Sequence, residues 1–388
     1  MMRFTVDIDY TPEKMEANRQ RMEARRRYEY IDRVPVGFCV EPRYFTPIFD
    51  MNYCEFFTDP ATQFYWQLQF LKYRIEHIPE DMVCCGSTIA IAPYFDNIVD
   101  SDALGAHTVW PENETLHACQ TITTVDQMER FEIPPPDAGM WGTVRDWWLA
   151  MRELIKETRV TFNGKEGHVE MGLLSVGHLS PFMLAVDLVG VDFYWWLVEY
   201  PEACHCFIDK ITKAVLQTDA YYRTIDPRVR GQYELAEDSA QILSLESFRE
   251  FCVPYDLRFY AEMGGHTPFG RGMHMCGNSA HLHPALVEDL HITSFDIFGF
   301  PVAPQIVAKN LGGKALLWGN INPMLMLNGT KAEVKAEAMA ALAAMAPCGG
   351  LLLGDGANVC PGTPLENLAA LTEAAEEYGK PIRASEKQ

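Results

Sequence analysis

Apolar positions along the chain follow two alternating patterns. Short apolar runs occupy 168–174, 231–235, 271–276, 292–297, 315–319 and 350–354. Stretches with helical spacing lie between them, at 181–196 with 201–223, 247–263, 280–289, 302–310 and 331–346, and another at 364–378 closes the chain. Proline at first-turn positions, Pro201 and Pro364, marks helix starts, and Pro347-Cys348-Gly349-Gly350 marks a stop. Two earlier runs, 35–40 and 82–91, bring the candidate strands to eight. Strands that alternate with helices pair in parallel, and eight such units predict an α/β fold of the TIM-like (β/α)8 barrel type. An open doubly wound sheet is the competing architecture. The nearest thing to its phosphate-binding signature, Gly354-Asp355-Gly356, lacks the third glycine.

The region before the alternation is different. Residues 1–30 are charged and read as a helical extension of one domain covering 1–388. An aromatic-rich elaboration follows, with Tyr44, Phe45, Phe49, Phe56, Phe57, Phe64, Tyr65 and Trp66. Such residues form either a packed core or a lid over a flat apolar ligand.

Composition narrows the function. A net charge of -21 argues against a nucleic-acid partner, because phosphate neutralisation needs clustered Lys and Arg. The N-terminus lacks the apolar segment of a signal peptide, and the apolar run at 338–346 is too short to span a bilayer. A soluble, cytoplasmic protein is expected, and a homo-oligomer is compatible with the sequence. Eleven cysteines in a large unexported chain point to buried thiols rather than a disulfide framework.

Active sites of barrel enzymes form at the C-terminal ends of the strands. His274-Met275-Cys276 ends one strand, Asp296 nears the end of the next, Asn320 follows, and Asp355 and Cys360 come after the last. Residues i and i+2 of a strand share a face, so His274 and Cys276 point one way and Met275 the other. An imidazole and a thiol side by side offer two corners of a tetrahedral zinc site, and Cys360 a third. Three protein ligands with one open position is the pattern of catalytic zinc, and thiolate ligands favour zinc over magnesium or calcium. The bland alternative is that His274 and Cys276 only pack. Cys204-His205-Cys206 lies in a helical pattern where i and i+2 diverge, and adjacent Cys84-Cys85 would alternate faces, so both groups read as structural.

Several segments resemble the uroporphyrinogen decarboxylase superfamily over nearly the whole chain. They are Asp32-Arg33-Val34-Pro35-Val36, Ser180-Pro181-Phe182 with Leu188-Val189-Gly190, Tyr200-Pro201-Glu202, and Phe251-Cys252-Val253-Pro254-Tyr255. Three more follow: His274-Met275-Cys276-Gly277-Asn278, Gly319-Asn320-Ile321-Asn322-Pro323, and 361–367, Pro-Gly-Thr-Pro-Leu-Glu-Asn. The resemblance implies a TIM-like barrel. It also separates two branches. The decarboxylases carry a Met-Arg-Gln-Ala-Gly-Arg signature, where this chain reads Gly37-Phe38-Cys39-Val40-Glu41-Pro42-Arg43. The methyltransferases that work with methyl-corrinoid proteins use His-x-Cys plus a distant Cys as zinc ligands, a pattern matched by His274, Cys276 and Cys360. Similar zinc sites place an acid at the end of the following strand, which makes Asp296 the candidate fourth ligand. Asn278, Asn320 and Glu237 are the expected substrate-binding side chains.

The resemblance thus implies a zinc methyltransferase that moves a methyl group between a corrinoid and a small-molecule donor or acceptor, a thiol acceptor being favoured. The reverse direction, demethylation of a methoxylated aryl ether, uses the same ligands. A decarboxylase and a non-catalytic binding protein are the rival classes. Asp289-Leu290-His291-Ile292-Thr293-Ser294 begins like a cobalamin-binding motif, but Ser294 replaces its glycine. A separate cobalamin-binding corrinoid protein is therefore the expected partner.

Overall fold

The computed structural model describes residues 3–83, 86–229, 231, 233–263 and 270–381. Its centre is a five-stranded sheet in the order Leu351–Asp355, Leu316–Ile321, Ser294–Asp296, Arg271–His274 and Tyr233–Ala236, every neighbouring pair parallel. Leu351–Asp355 is buried at every position, as a parallel strand covered on both faces must be. Helices cover the sheet, including Pro201–Ile225, Pro304–Leu311, Lys331–Met345 and Leu365–Tyr378. Their starts are encoded locally. Thr330 and Glu333 form a reciprocal capping box before Lys331–Met345. The Ser180 side chain caps Pro181–Val189.

Single parallel bridges extend the sheet at both ends, Val36 to Leu353 and Leu179 to Ala236. Thr88–Ile91 pairs in parallel with His168–Met171 as a separate ladder. All eight expected strand regions are thus extended, but among the described residues their ladders form an arc with gaps and do not close into a ring. The closed barrel expected from the alternation is corrected to that extent. Pairing beyond the five-stranded sheet falls to short segments, and short segments sustain few ladder bonds.

Two further expectations need correction. The N-terminal extension is helical only over Pro12–Arg26, while Phe4–Ile8 is a strand paired in parallel with Thr158–Phe162 in an outer sheet. The helix expected over 181–196 breaks into Pro181–Val189 and Asp192–Glu199, bent by 111° at Gly190. Gly190 has φ 82°, which L side chains rarely adopt. The aromatic elaboration is mainly core: Phe45, Phe56 and Phe64 are buried, and Phe45 stacks on Phe70 with ring centres 4.5 Å apart. Only Tyr65 among the expected lid residues is exposed, although Phe45, Phe70 and Tyr94 do line a cavity of about 270 Å³. No single helix among the described residues is long and apolar enough to cross a membrane.

Candidate metal centre

The C-terminal ends of the strands bring three donor side chains together. Atoms of Asp238, His274 and Cys276 lie within 4.8 Å of one another. His274 is the last residue of Arg271–His274, and Cys276 follows two residues later on the same side, while Met275 turns away and is fully buried. Asp238 begins the short 3-10 turn Asp238–Ile242, just after Tyr233–Ala236. Parallel register sets Ala236 beside His274, and this delivers Asp238 to the site.

Each donor is held from behind. The His274 Nδ1 lies 3.0 Å from the Asp296 carbonyl oxygen, so Nδ1–H donates and Nε2 is turned toward Asp238 Oδ2, 3.5 Å away. The Cys276 amide donates to Asp238 Oδ1 at 2.6 Å. Gly299 packs against the Cys276 carbonyl so closely that a Cβ there would stand 2.2 Å from the oxygen. Burial works against a charged His274, but Asp238 and Cys276 outweigh it and hold its pKa well above the ordinary imidazole value. Burial also resists a charged Asp238, yet the His274 contact and the Cys276 amide keep its pKa low. The metal-free cluster therefore favours an imidazolium–carboxylate pair, whose proton a metal ion would displace. One nitrogen, one sulfur and one carboxylate oxygen suit zinc.

The other expected site residues are arranged differently. Asp296 contributes its carbonyl, not its carboxylate, to His274; the carboxylate accepts from Ser294 Oγ at 2.8 Å, and burial raises its pKa against the field of Arg25. Cys360 sits on the loop after Leu351–Asp355, partly buried and outside the three-donor cluster, with its thiol pKa raised by burial. Asn320 is buried and donates to the Val302 carbonyl at 2.8 Å, bracing the loop that carries Gly299. Asn278 is exposed. Glu237 is fully buried, with burial and then Asp256 raising its pKa. Cys204 is buried in the core and Cys206 is exposed; Cys84 and Cys85 lie outside the described residues.

Two residues of this region escaped the sequence reading. Asp238 lies one residue beyond Glu237, and the strand-end rule that selected Glu237 applies to it equally. His178 lies in the segment that leads to Ser180. That segment is held by three hydrogen bonds: Gly177 N donates to Asp100 Oδ1 at 3.1 Å, Tyr233 Oη donates to Gly177 O at 2.7 Å, and Ala236 N donates to His178 O at 2.7 Å.

Asp100 supplies a stability prediction. It also accepts from Trp141 Nε1 at 2.8 Å, but burial dominates and pushes its pKa up to about 6. The folded state binds this proton more tightly than the unfolded chain does. Asp100 therefore costs stability above about pH 6, and the cost fades as pH falls toward 4. Asp100→Asn keeps an acceptor for both donors and is expected to stabilise the protein at pH 7.5 by about 1–2 kcal/mol, less than the full linkage value because a new N–H is left unpaired. The gain should vanish near pH 4. Urea denaturation at both pH values checks this, and equal effects at the two would contradict it.

Comparison with known proteins adds an independent line. The sequence profile of the family described as Uroporphyrinogen decarboxylase (URO-D) matches residues 19–378. A methylated-thiol–coenzyme M methyltransferase of Methanosarcina mazei is 28% identical over 305 residues, covering 76% of this chain and 73% of that protein. A methylcobamide:CoM methyltransferase of Methanosarcina barkeri is 30% identical over 212 residues, 52% of this chain and 57% of its own length. The uroporphyrinogen decarboxylase of Schizosaccharomyces pombe is 22% identical over 306 residues, 74% of this chain and 78% of that protein. The solved structure of a methyltransferase from Methanosarcina mazei superposes with a TM-score of 0.67 at 20% identity, covering 93% of this chain and 99% of that one.

Proposed function

Because the chain belongs to the uroporphyrinogen decarboxylase family, we propose that it is a zinc-dependent methyltransferase exchanging a methyl group between a separate corrinoid protein and a small thiol. The observation that carries this reading is the cluster of Asp238, His274 and Cys276 at the strand C-termini. The names of the Methanosarcina relatives support the methyltransferase side, and the likeness of fold supports reading the arc of strands as the family's (β/α)8 barrel. We assign His274, Cys276 and Cys360 as metal ligands, with Asp238 as the carboxylate that sets His274 and the Cys276 backbone.

Bound zinc would supply Lewis acidity that keeps a coordinated sulfur deprotonated near neutral pH. The protein's own contribution is positional. The Asp296 carbonyl fixes the His274 tautomer, and the hydrogen bond from the Cys276 amide to the Asp238 carboxylate fixes the turn beyond the strand. Methyl transfer in line needs the acceptor sulfur roughly 3–3.5 Å from the methyl carbon, so the strand ends must admit a corrinoid face.

Anaerobic protein loaded with zinc and mixed with methylcobalamin and ethanethiol is expected to convert the methylcobalt spectrum to that of demethylated cobalt. Methylation of cob(I)alamin by a methoxylated aromatic would instead establish the aryl-ether direction. Efficient formation of coproporphyrinogen from uroporphyrinogen, with no methyl transfer in either assay, would overturn the proposal. That outcome is not expected, because the arginine-rich decarboxylase signature is replaced here, and Arg43 within the replaced stretch is bonded to Glu114 at 2.6 Å.

A further inference from the structure

The helix Asp192–Glu199 is apolar on two opposite faces. Phe193, Trp196 and Leu197 pack into the core. Val191, Trp195 and Val198 recur at helical spacing on the other face, and they are 76%, 71% and 79% exposed. A helix that is apolar on both sides is built to be covered on both sides. Single exposed apolar residues need no explanation, but three on one face of a short helix, an indole among them, do. Ile242, 69% exposed, ends the turn Asp238–Ile242. That turn is tied to the helix by Tyr194, whose Oη donates to the Ser239 carbonyl at 2.8 Å. Ser239 follows Asp238, one of the three clustered donors. The exposed face therefore adjoins the strand-end rim that carries the metal centre.

We propose that this face docks the corrinoid-carrying partner protein, an inference that rests on the methyltransferase reading above. Methyl transfer brings the acceptor sulfur within roughly 3–3.5 Å of a methyl group on cobalt, so the protein that holds the cobalt must lie against the strand ends. Its contact then extends onto the adjoining helix, where Trp195 offers the kind of large aromatic anchor on which interfaces concentrate their affinity. Charge selects this occupant over others. Asp192 and Glu199 are exposed on the stripe beside the apolar face, and Glu202 and Glu246 are exposed on the segments that follow Glu199 and Ile242. Across 191–206 and 238–250 the only Lys or Arg is Arg249. It is already engaged by Asp289 at 2.6 Å and Glu288 at 3.2 Å. A second copy of this chain would set acid against acid, in a molecule whose net charge is -21. An anionic membrane surface would be repelled in the same way. The partner that fits presents an apolar centre with a rim rich in Lys and Arg.

The test immobilises the zinc-loaded protein anaerobically and passes over it an extract of its own organism, with retained material read by cobalt content and corrin absorption. The wild type is expected to retain a cobalt-carrying protein and Trp195→Asp about 10-fold less, as loss of a central anchor implies. Val229→Asp should retain the wild-type amount. Val229 is as apolar and 90% exposed, but it precedes Tyr233–Ala236 and so lies at the end of that strand away from the metal centre. With the retained protein purified and loaded with methylcobalamin, Trp195→Asp should raise the KM for it roughly 30-fold, the scale of a lost aromatic hot spot. Demethylation of free methylcobalamin by ethanethiol should be unchanged in the same variant, as should its circular dichroism. Asp192→Lys combined with Glu199→Lys should slow association and weaken its dependence on salt. Equal cobalt retention by wild type and Trp195→Asp overturns the proposal, as does a wild type that retains no cobalt-carrying protein. A wild-type dimer in sedimentation that Trp195→Asp splits, or flotation on phosphatidylglycerol vesicles by the wild type alone, gives the face to another occupant and overturns it too. In each of these cases, transfer from free methylcobalamin leaves the methyltransferase reading standing. Failure of the wild type to transfer methyl from free methylcobalamin or to cob(I)alamin overturns both.

Discussion

Cys276→Ser protein is expected to be purified with less than a tenth of the zinc held by the wild type, which should carry about one ion per chain, as a single three-ligand site requires. Methyl transfer should fall at least 100-fold with it. The reason is local. The Cys276 backbone is fixed by the hydrogen bond its amide donates to Asp238 Oδ1 and by Gly299 against its carbonyl, so a replacement side chain stays where the sulfur was. Serine keeps the backbone and shape but offers a hydroxyl that resists ionisation near pH 7. Cys360→Ser and Asp238→Asn separate the two candidates for the third ligand. We expect Cys360→Ser to lose zinc and Asp238→Asn to retain it with a weakened affinity, because Asn still accepts from the Cys276 amide. The opposite result, zinc kept by Cys360→Ser and lost by Asp238→Asn, would move the third ligand to Asp238. Cys206→Ser, altering an exposed thiol on the helix Pro201–Ile225, is the control that should keep its metal. Elemental analysis of the purified proteins decides each case.

Arg25→Ala is expected to cost about 3–5 kcal/mol of stability, the scale of two buried hydrogen bonds from a charged donor. Arg25 lies in the penultimate position of Pro12–Arg26 and is buried. Its Nε donates to the Gly350 carbonyl at 3.2 Å and its Nη2 to the Leu317 carbonyl at 3.1 Å, so one side chain ties the N-terminal helix to two strands of the central sheet. Burial lowers its pKa, and the field of Asp296 opposes that. Removing the guanidinium takes one donor each from the Leu317 carbonyl and from the Gly350 carbonyl, which keeps the Leu317 amide at 3.1 Å, and it removes a positive field that favours the Asp296 carboxylate. Because the Asp296 carbonyl sets the His274 tautomer, zinc affinity should fall as well. Arg25→Met restores much of the packing of the stem but none of the hydrogen bonds, and should lie between the two proteins. Denaturant titration reads the stability, and a loss below about 1 kcal/mol would show that the helix is an appendage of the kind its charge pattern suggested.

How much of this was legible in the chain depends on the range of the interaction. The alternation of strands and helices is written in local periodicity. So is the shared side of His274 and Cys276, since two residues along an extended backbone return a side chain to the same face. The cap signals at Thr330, Glu333 and Ser180 are equally local. Sequence alone also pointed to the strand ends as the place for chemistry, because parallel strands all end on the same side. It did not choose among the carboxylates that gather there. Glu237 and Asp238 are adjacent, yet one is buried toward Asp256 and the other turns to His274. That choice is made by the turn after Tyr233–Ala236 and by the register of the neighbouring strand, neither of which leaves a periodic trace. Asp296 stands at the expected strand end, but its carbonyl rather than its carboxylate meets His274, and the carboxylate accepts from Ser294. The segment of Gly177 and His178 is brought to this end of the sheet by contacts with residues 100, 233 and 236, which no local spacing announces. Local spacing specifies which face a side chain occupies; the packing of distant segments decides which polar groups on that face meet one another.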